Sequence, residues 1–151
     1  MPEQSRKPKT GTILAFDFGL QRVGVAVGEP ELGTAHALPV IRAQTQSGKL
    51  TAVERLVQEW KPALLLVGRP LGEDGAAHEM TRRAERFARQ LAARFKLPMA
   101  FADERYSSAE VESRMRAAYG ARKTASLARG KALDSHAAQI ILEQYLDGKT
   151  V

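Results

Sequence analysis

The sequence predicts an α/β domain of three layers, a five-stranded mixed sheet of order 3-2-1-4-5 flanked by helices. Three observations predict it. The apolar runs Thr12–Phe18 and Val23–Val27 are joined by the turn Gly19-Leu-Gln-Arg22, and a third run, Ala35–Ile41, follows the turn marked by Pro30 and Gly33, which makes an antiparallel meander. Two more short apolar runs, Ala63–Val67 and Met99–Ala102, each follow a stretch of helical periodicity, as buried parallel strands do. Right-handed crossovers place those two strands beside strand one, on the side away from the meander.

Each helix has its own signal. Leu50, Val53, Leu56, Val57 and Trp60 recur at helical spacing and predict a helix over Lys49–Trp60, stopped by Pro62 because the residue before a proline avoids the α region. His78–Phe95 is a second helix, with Met80, Ala84, Phe87, Ala88, Leu91 and Phe95 on one face. Its arginines Arg82, Arg83, Arg86 and Arg89 read as a solvated face, with Glu79–Arg83 and Glu85–Arg89 as i,i+4 pairs. Ser107 or Ser108 can cap a helix reaching about Ala117, with Glu110 completing a capping box. Tyr119–Gly130 reads as a loop and Lys131–Leu146 as the last helix.

The chain has 151 residues, the size of one domain, and residues 11–151 are assigned to it. Residues 1–10 are polar and basic and are expected to be a disordered tail. There is no cysteine, which excludes disulfides and thiolate metal sites and fits a reducing cytoplasm. No run approaches a membrane span, and the N-terminus lacks the apolar core of a signal peptide. A net charge of +6 favours a polyanionic partner.

The residues that point to chemistry are acids in core positions. Asp17 lies inside strand one, whose two faces are both apolar, and a carboxylate there must gain a partner. On the last helix, Leu133, Ala137, Ile140 and Ile141 define the apolar stripe, and Asp134 falls inside it; Ser135, His136, Gln139 and Glu143 fall on the other side. Asp103 and Glu104 follow strand five at its carboxyl end, where open α/β sheets gather ligands. Carboxylates converging there suit a hard cation, Mg²⁺ or Mn²⁺. A pair of such ions activates water and stabilises the leaving oxygen of a phosphodiester.

Four stretches, Asp17-Phe-Gly-Leu-Gln-Arg22-Val-Gly-Val-Ala-Val, Val67-Gly-Arg-Pro-Leu-Gly-Glu-Asp-Gly75, Asp103-Glu-Arg-Tyr-Ser-Ser108 and Leu133-Asp-Ser-His-Ala-Ala-Gln-Ile-Ile-Leu142, resemble the YqgF (RuvX) family of the RNase H-like superfamily. The resemblance covers nearly the whole chain after Gly11. It implies an RNase H-like fold and a divalent-metal-dependent nuclease, described for the family both as a processor of the 5′ end of pre-16S ribosomal RNA and as a Holliday junction resolvase. Carried over residue by residue, it implies that Asp17, Glu104 and Asp134 are the catalytic, metal-holding acids, with Asp103 as the alternate to Glu104.

Between Arg105 and Lys131, Arg105, Arg114, Arg116, Arg122, Lys123, Arg129 and Lys131 face only Glu110 and Glu112, so most of the net charge lies beside the acids. Arg22, Arg69, Arg105, Arg122, Lys123, Arg129 and Lys131 are the expected nucleic-acid contacts, through salt-sensitive phosphate binding. The expected partner is RNA, branched DNA or both. Two other functions remain open: a resolvase-like DNA endonuclease, and a non-catalytic RNA-binding factor in ribosome maturation. Junction resolution needs two active sites and hence a homodimer, whereas processing of one RNA strand needs only a monomer; the sequence leaves the two open.

Overall fold

A computed structural model describes residues 11–70, 78–104 and 132–148. Five strands, β1 (Ile13–Phe18), β2 (Arg22–Glu29), β3 (Thr34–Arg42), β4 (Leu64–Pro70) and β5 (Met99–Glu104), form one sheet of order β3-β2-β1-β4-β5. The β1–β2 and β2–β3 pairs are antiparallel, and β1–β4 and β4–β5 are parallel. The described helices are α1 (Gln46–Trp60), α2 (Glu79–Phe95) and α3 (Ala132–Leu146). The expected strand order and helix sequence are those observed; the helix expected after Ser107 and the loop Tyr119–Gly130 lie outside the described residues. None of the described helices is long and apolar enough to cross a membrane.

Element ends differ from the sequence reading for local reasons. α1 begins at Gln46 because Thr45 caps it, its hydroxyl accepting from the Gly48 N–H at 3.0 Å. It ends at Lys61, which takes a left-handed conformation (φ 47°) just before Pro62. β4 runs on through Arg69 and Pro70, so β5 has a partner through Asp103 and Glu104, which therefore belong to the strand. The β2–β3 register shifts between Val23 and Val25. Opposite that shift lies Pro39, which has no N–H to donate and sits on an edge strand.

Strand alternation sorts the core into two layers. Leu14, Phe16, Phe18, Val23, Val25, Leu65 and Val67 pack against Val53 of α1 and Ala84, Phe87, Ala88 and Leu91 of α2. Ile13, Ala15, Ala26, Leu64, Leu66 and Ala102 pack against Ala138, Ile141, Leu142 and Tyr145 of α3. The α3 side is lined with small residues, and the helix comes close. A Cβ at Gly28 would stand 2.9 Å from Leu142 Cδ2 and 2.6 Å from the Thr34 carbonyl.

Candidate nuclease site

Asp17 is on the central strand at the edge where β1 ends, on the alternation that carries Ile13 and Ala15 to the α3 side. Its register partners are Gly24 on β2 and Gly68 on β4, and Gly68 pairs with Ala102 on β5. The row across the sheet is therefore Gly24–Asp17–Gly68–Ala102. The only bulky side chain in that row is the carboxylate. A cavity of about 420 Å³ opens beside it, walled by the 17–22 segment and by Met80 of α2.

The turn that bounds this cavity is held from several sides. A Cβ at Gly19 would stand 2.6 Å from the Arg22 carbonyl, so the tight turn requires glycine. The Gln21 carbonyl accepts from the Ala43 N–H at 3.2 Å. The Leu20 carbonyl accepts from Lys49 Nζ at 2.6 Å. Lys49 is only 3% exposed, and its ammonium lies 5.8 Å from the centre of the Phe18 ring. Sequence reading treats Lys49 as an ordinary first residue of the helix. The available signal is its place four residues before Val53, on the apolar stripe of α1.

Burial pushes the Lys49 amine below its ordinary value of 10.5. The unfolded chain then binds more protons than the folded one as pH approaches 10.5 from below, so the cost of burying the ammonium shrinks as pH rises. Relative to Lys49→Met, the wild type is expected to gain stability as pH is raised from neutral toward 10.5, read by urea denaturation at a series of pH values. A difference that stays constant with pH would show that the ammonium is not held charged in a desolvated place.

The two acids of β5 fall on opposite faces by position. Asp103 accepts from Arg69 Nε at 2.6 Å, and Arg69 Nη1 also reaches Glu85 Oε2 of α2 at 3.1 Å. The guanidinium stacks 5.0 Å from the centre of Phe101, itself packed against the α1/α2 core. The Asp103 hydrogen bond is the main reason that the Arg69 pKa is raised. Arg69, expected among the phosphate contacts, is thus directed to two carboxylates, and Glu85 goes to Arg69 instead of Arg89. The expected Glu79–Arg83 pair forms at 3.0 Å. Glu104 is the next strand position, with the parity of Ala102 and Ala100, which pack toward α3. Its side chain lies outside the described set.

Asp134 is in the first turn of α3, and its side chain also lies outside the described set. Its neighbour Ser135 is described, and here the sequence reading is corrected. Ser135 was expected on the polar side of the helix but is 3% exposed, while Ala137 is only half-buried. The Ser135 hydroxyl accepts from the backbone N–H of Val25 at 3.3 Å, where the β2–β3 register shifts. This bond ties the first turn of α3 to the residue after Gly24, the register partner of Asp17. Arg22 is at the start of β2 and lines the Asp17 cavity. Arg105, Arg122, Lys123, Arg129 and Lys131 lie outside the described residues. Among the described residues no group of three acids or histidines is close enough to hold a metal ion.

Comparison with known proteins bears on this arrangement. The profile of the RuvX family, described as Holliday junction resolvase, matches residues 11–148. A Burkholderia mallei protein named as a candidate pre-16S rRNA nuclease is 48% identical over 143 residues, covering 93% of this chain and 90% of its own length. A Paraburkholderia phytofirmans protein of the same name is 46% identical over 140 residues, with the same coverage. Among solved structures, Thermus thermophilus RuvC in complex with a Holliday junction substrate aligns with a TM-score of 0.55 at 15% identity, over 92% of this chain and 98% of that one. The fowlpox virus resolvase in complex with Holliday junction DNA aligns with a TM-score of 0.53 at 12% identity, over 91% and 97%. At these identities the two structures speak to the fold, which is RNase H-like as the resemblance implied.

Proposed function

Because the chain belongs to the RuvX family, we propose that it is a divalent-metal-dependent nuclease that hydrolyses phosphodiester bonds of structured RNA, acting in the cytoplasm on the 5′ end of pre-16S ribosomal RNA. The observation that carries the reading is the placement of Asp17. It stands on the central strand between two register glycines, next to a first turn of α3 that Ser135 ties to Val25.

In this reading Asp17, Glu104 and Asp134 hold the metal. Glu104 is preferred to Asp103, because Asp103 is engaged by Arg69 on the opposite face. The donor set is oxygen only, which fits Mg²⁺ or Mn²⁺. Bound there, the ion supplies a lowered pKa for the attacking water and neutralises charge on the phosphate and leaving oxygens. The chain's own work is to hold the geometry. Lys49 and Gly19 keep the 19–22 turn at the cavity rim, and Arg22 draws the phosphate toward Asp17. Arg105, Arg122, Lys123, Arg129 and Lys131 hold the flanking backbone. Water adds to phosphorus, the P–O bond to the leaving sugar oxygen breaks, and that oxygen takes a proton.

The test is a panel of labelled substrates: an RNA spanning the 5′ end of 16S precursor, an unrelated single-stranded RNA, single-stranded DNA, and a four-way junction. Each is run with Mg²⁺, Mn²⁺ or chelator. Metal-dependent cleavage of the precursor RNA is expected. Cleavage confined to the four-way junction would move the substrate to branched DNA. Binding without cleavage of any member would sink the enzymatic reading in favour of a maturation factor.

A further inference from the structure

Arg22 and Arg42 are direct partners in the β2–β3 ladder. Like charges opposite each other in an antiparallel pair destabilise the sheet. Such a pair is a cost to the fold unless an anion occupies the space between the two groups. A second cavity, of about 390 Å³, opens at this place, lined by Gln21, Arg22, Arg42, Ala43 and Gln44. Two guanidinium groups and two amides, with nothing apolar larger than alanine, form a lining suited to phosphate and sugar. Arg42 is exposed and was not among the basic residues singled out in the sequence.

The second cavity is continuous with the first in its walls, since Gln21 and Arg22 line both. It also lies on the same face. Val23 and Ile41 pack toward α1 and α2, so Arg22 and Arg42, one position further along each strand, take the parity of Gly24 and Asp17. The ridge between the cavities is preformed, with Gln21 held by Ala43 and Leu20 by Lys49. From β1 to β3 is two strand spacings, about 10 Å. A phosphate at Arg42 is therefore a neighbour of the one at Asp17, not the same group.

We propose that Arg42, together with Arg22, forms a subsite for a phosphate adjacent to the scissile one, so that the bound strand runs from the Asp17 cavity over the Gln21–Arg22 ridge into the Arg42 cavity. The proposal rests on the nuclease reading and adds the direction of the strand across the sheet. RNA and DNA share the phosphodiester that this subsite recognises.

The experiment measures binding of labelled single-stranded RNA and DNA of one sequence, by fluorescence anisotropy over a series of KCl concentrations, with cleavage and thermal melting followed in parallel. Wild type, Arg42→Ala and Arg42→Glu are compared. Arg42→Ala is expected to weaken binding several-fold and to flatten the slope of log K against log salt by about 0.7, the loss of one single-strand phosphate contact. Arg42→Glu is expected to weaken it further. Neither variant should melt below wild type, because both relieve the like-charge pair. Weakened binding of only one strand type supports the subsite and names its backbone. Unchanged affinity and salt slope in both variants, with a wild type that binds and cleaves, would overturn the subsite and leave the nuclease reading standing. A wild type that neither binds nor cleaves would overturn both, and lost binding that tracks a lowered melting temperature would overturn the subsite in favour of a structural role.

Discussion

Asp17→Asn is expected to reduce cleavage by at least about 1,000-fold, equivalent to about 4 kcal/mol of transition-state stabilisation, while leaving the fold and nucleic-acid binding in place. The reason is the row Gly24–Asp17–Gly68–Ala102. No other side chain in that row can take over the role of the carboxylate. Asparagine has the same shape and keeps a hydrogen-bonding oxygen, so the sheet loses little. It lacks the charge that holds a hard cation. The measurement is single-turnover cleavage of the precursor RNA with Mg²⁺, beside circular dichroism and binding anisotropy on the same preparation. Asp17→Asn protein that is folded and cleaves at the wild-type rate would remove Asp17 from the mechanism and with it the reading of the site.

Phe87→Ala is expected to cost about 3–5 kcal/mol of stability, the range for truncating a fully buried aromatic. Phe87 is 0% exposed and is the α2 side chain around which the β1 aromatics are arranged. Its ring meets Phe16 edge-on at 6.1 Å between centres (84° between planes) and lies tilted against Phe18 at 5.0 Å. Truncation leaves a cavity bounded by the rigid central strand, which cannot collapse into it without disturbing the sheet. Phe18 immediately follows Asp17 and packs under the Lys49 ammonium, so the damage reaches the turn at the site. Urea denaturation reads the effect as a lowered midpoint at constant slope. A loss below about 1 kcal/mol would mean that the α1/α2 layer repacks freely and is not the rigid support of β1 described above.

What the sequence determined by itself are the features that repeat over short distances. The alternation and apolar runs of β1, β2, β4 and β5, the 3.6-residue spacing of α1 and α2, and the turn at Gly19 are local, and with crossover handedness they were enough for the order 3-2-1-4-5. Asp17 was legible for the same reason, as an acid inside an apolar run. The tertiary structure decided what depends on partners far away in the chain. Lys49 is buried because the Leu20 carbonyl, 29 residues earlier, receives its ammonium. Asp103 and Glu104 are adjacent in sequence, and they are distinguished only by Arg69, 34 residues from Asp103, and by the parity that the β4 ladder imposes. Ser135 is turned inward by Val25, 110 residues away, at a register shift that no helical periodicity could reveal. In each case a polar group is buried only where a distant donor or acceptor waits for it, because an unpaired one costs more than a local pattern can offset.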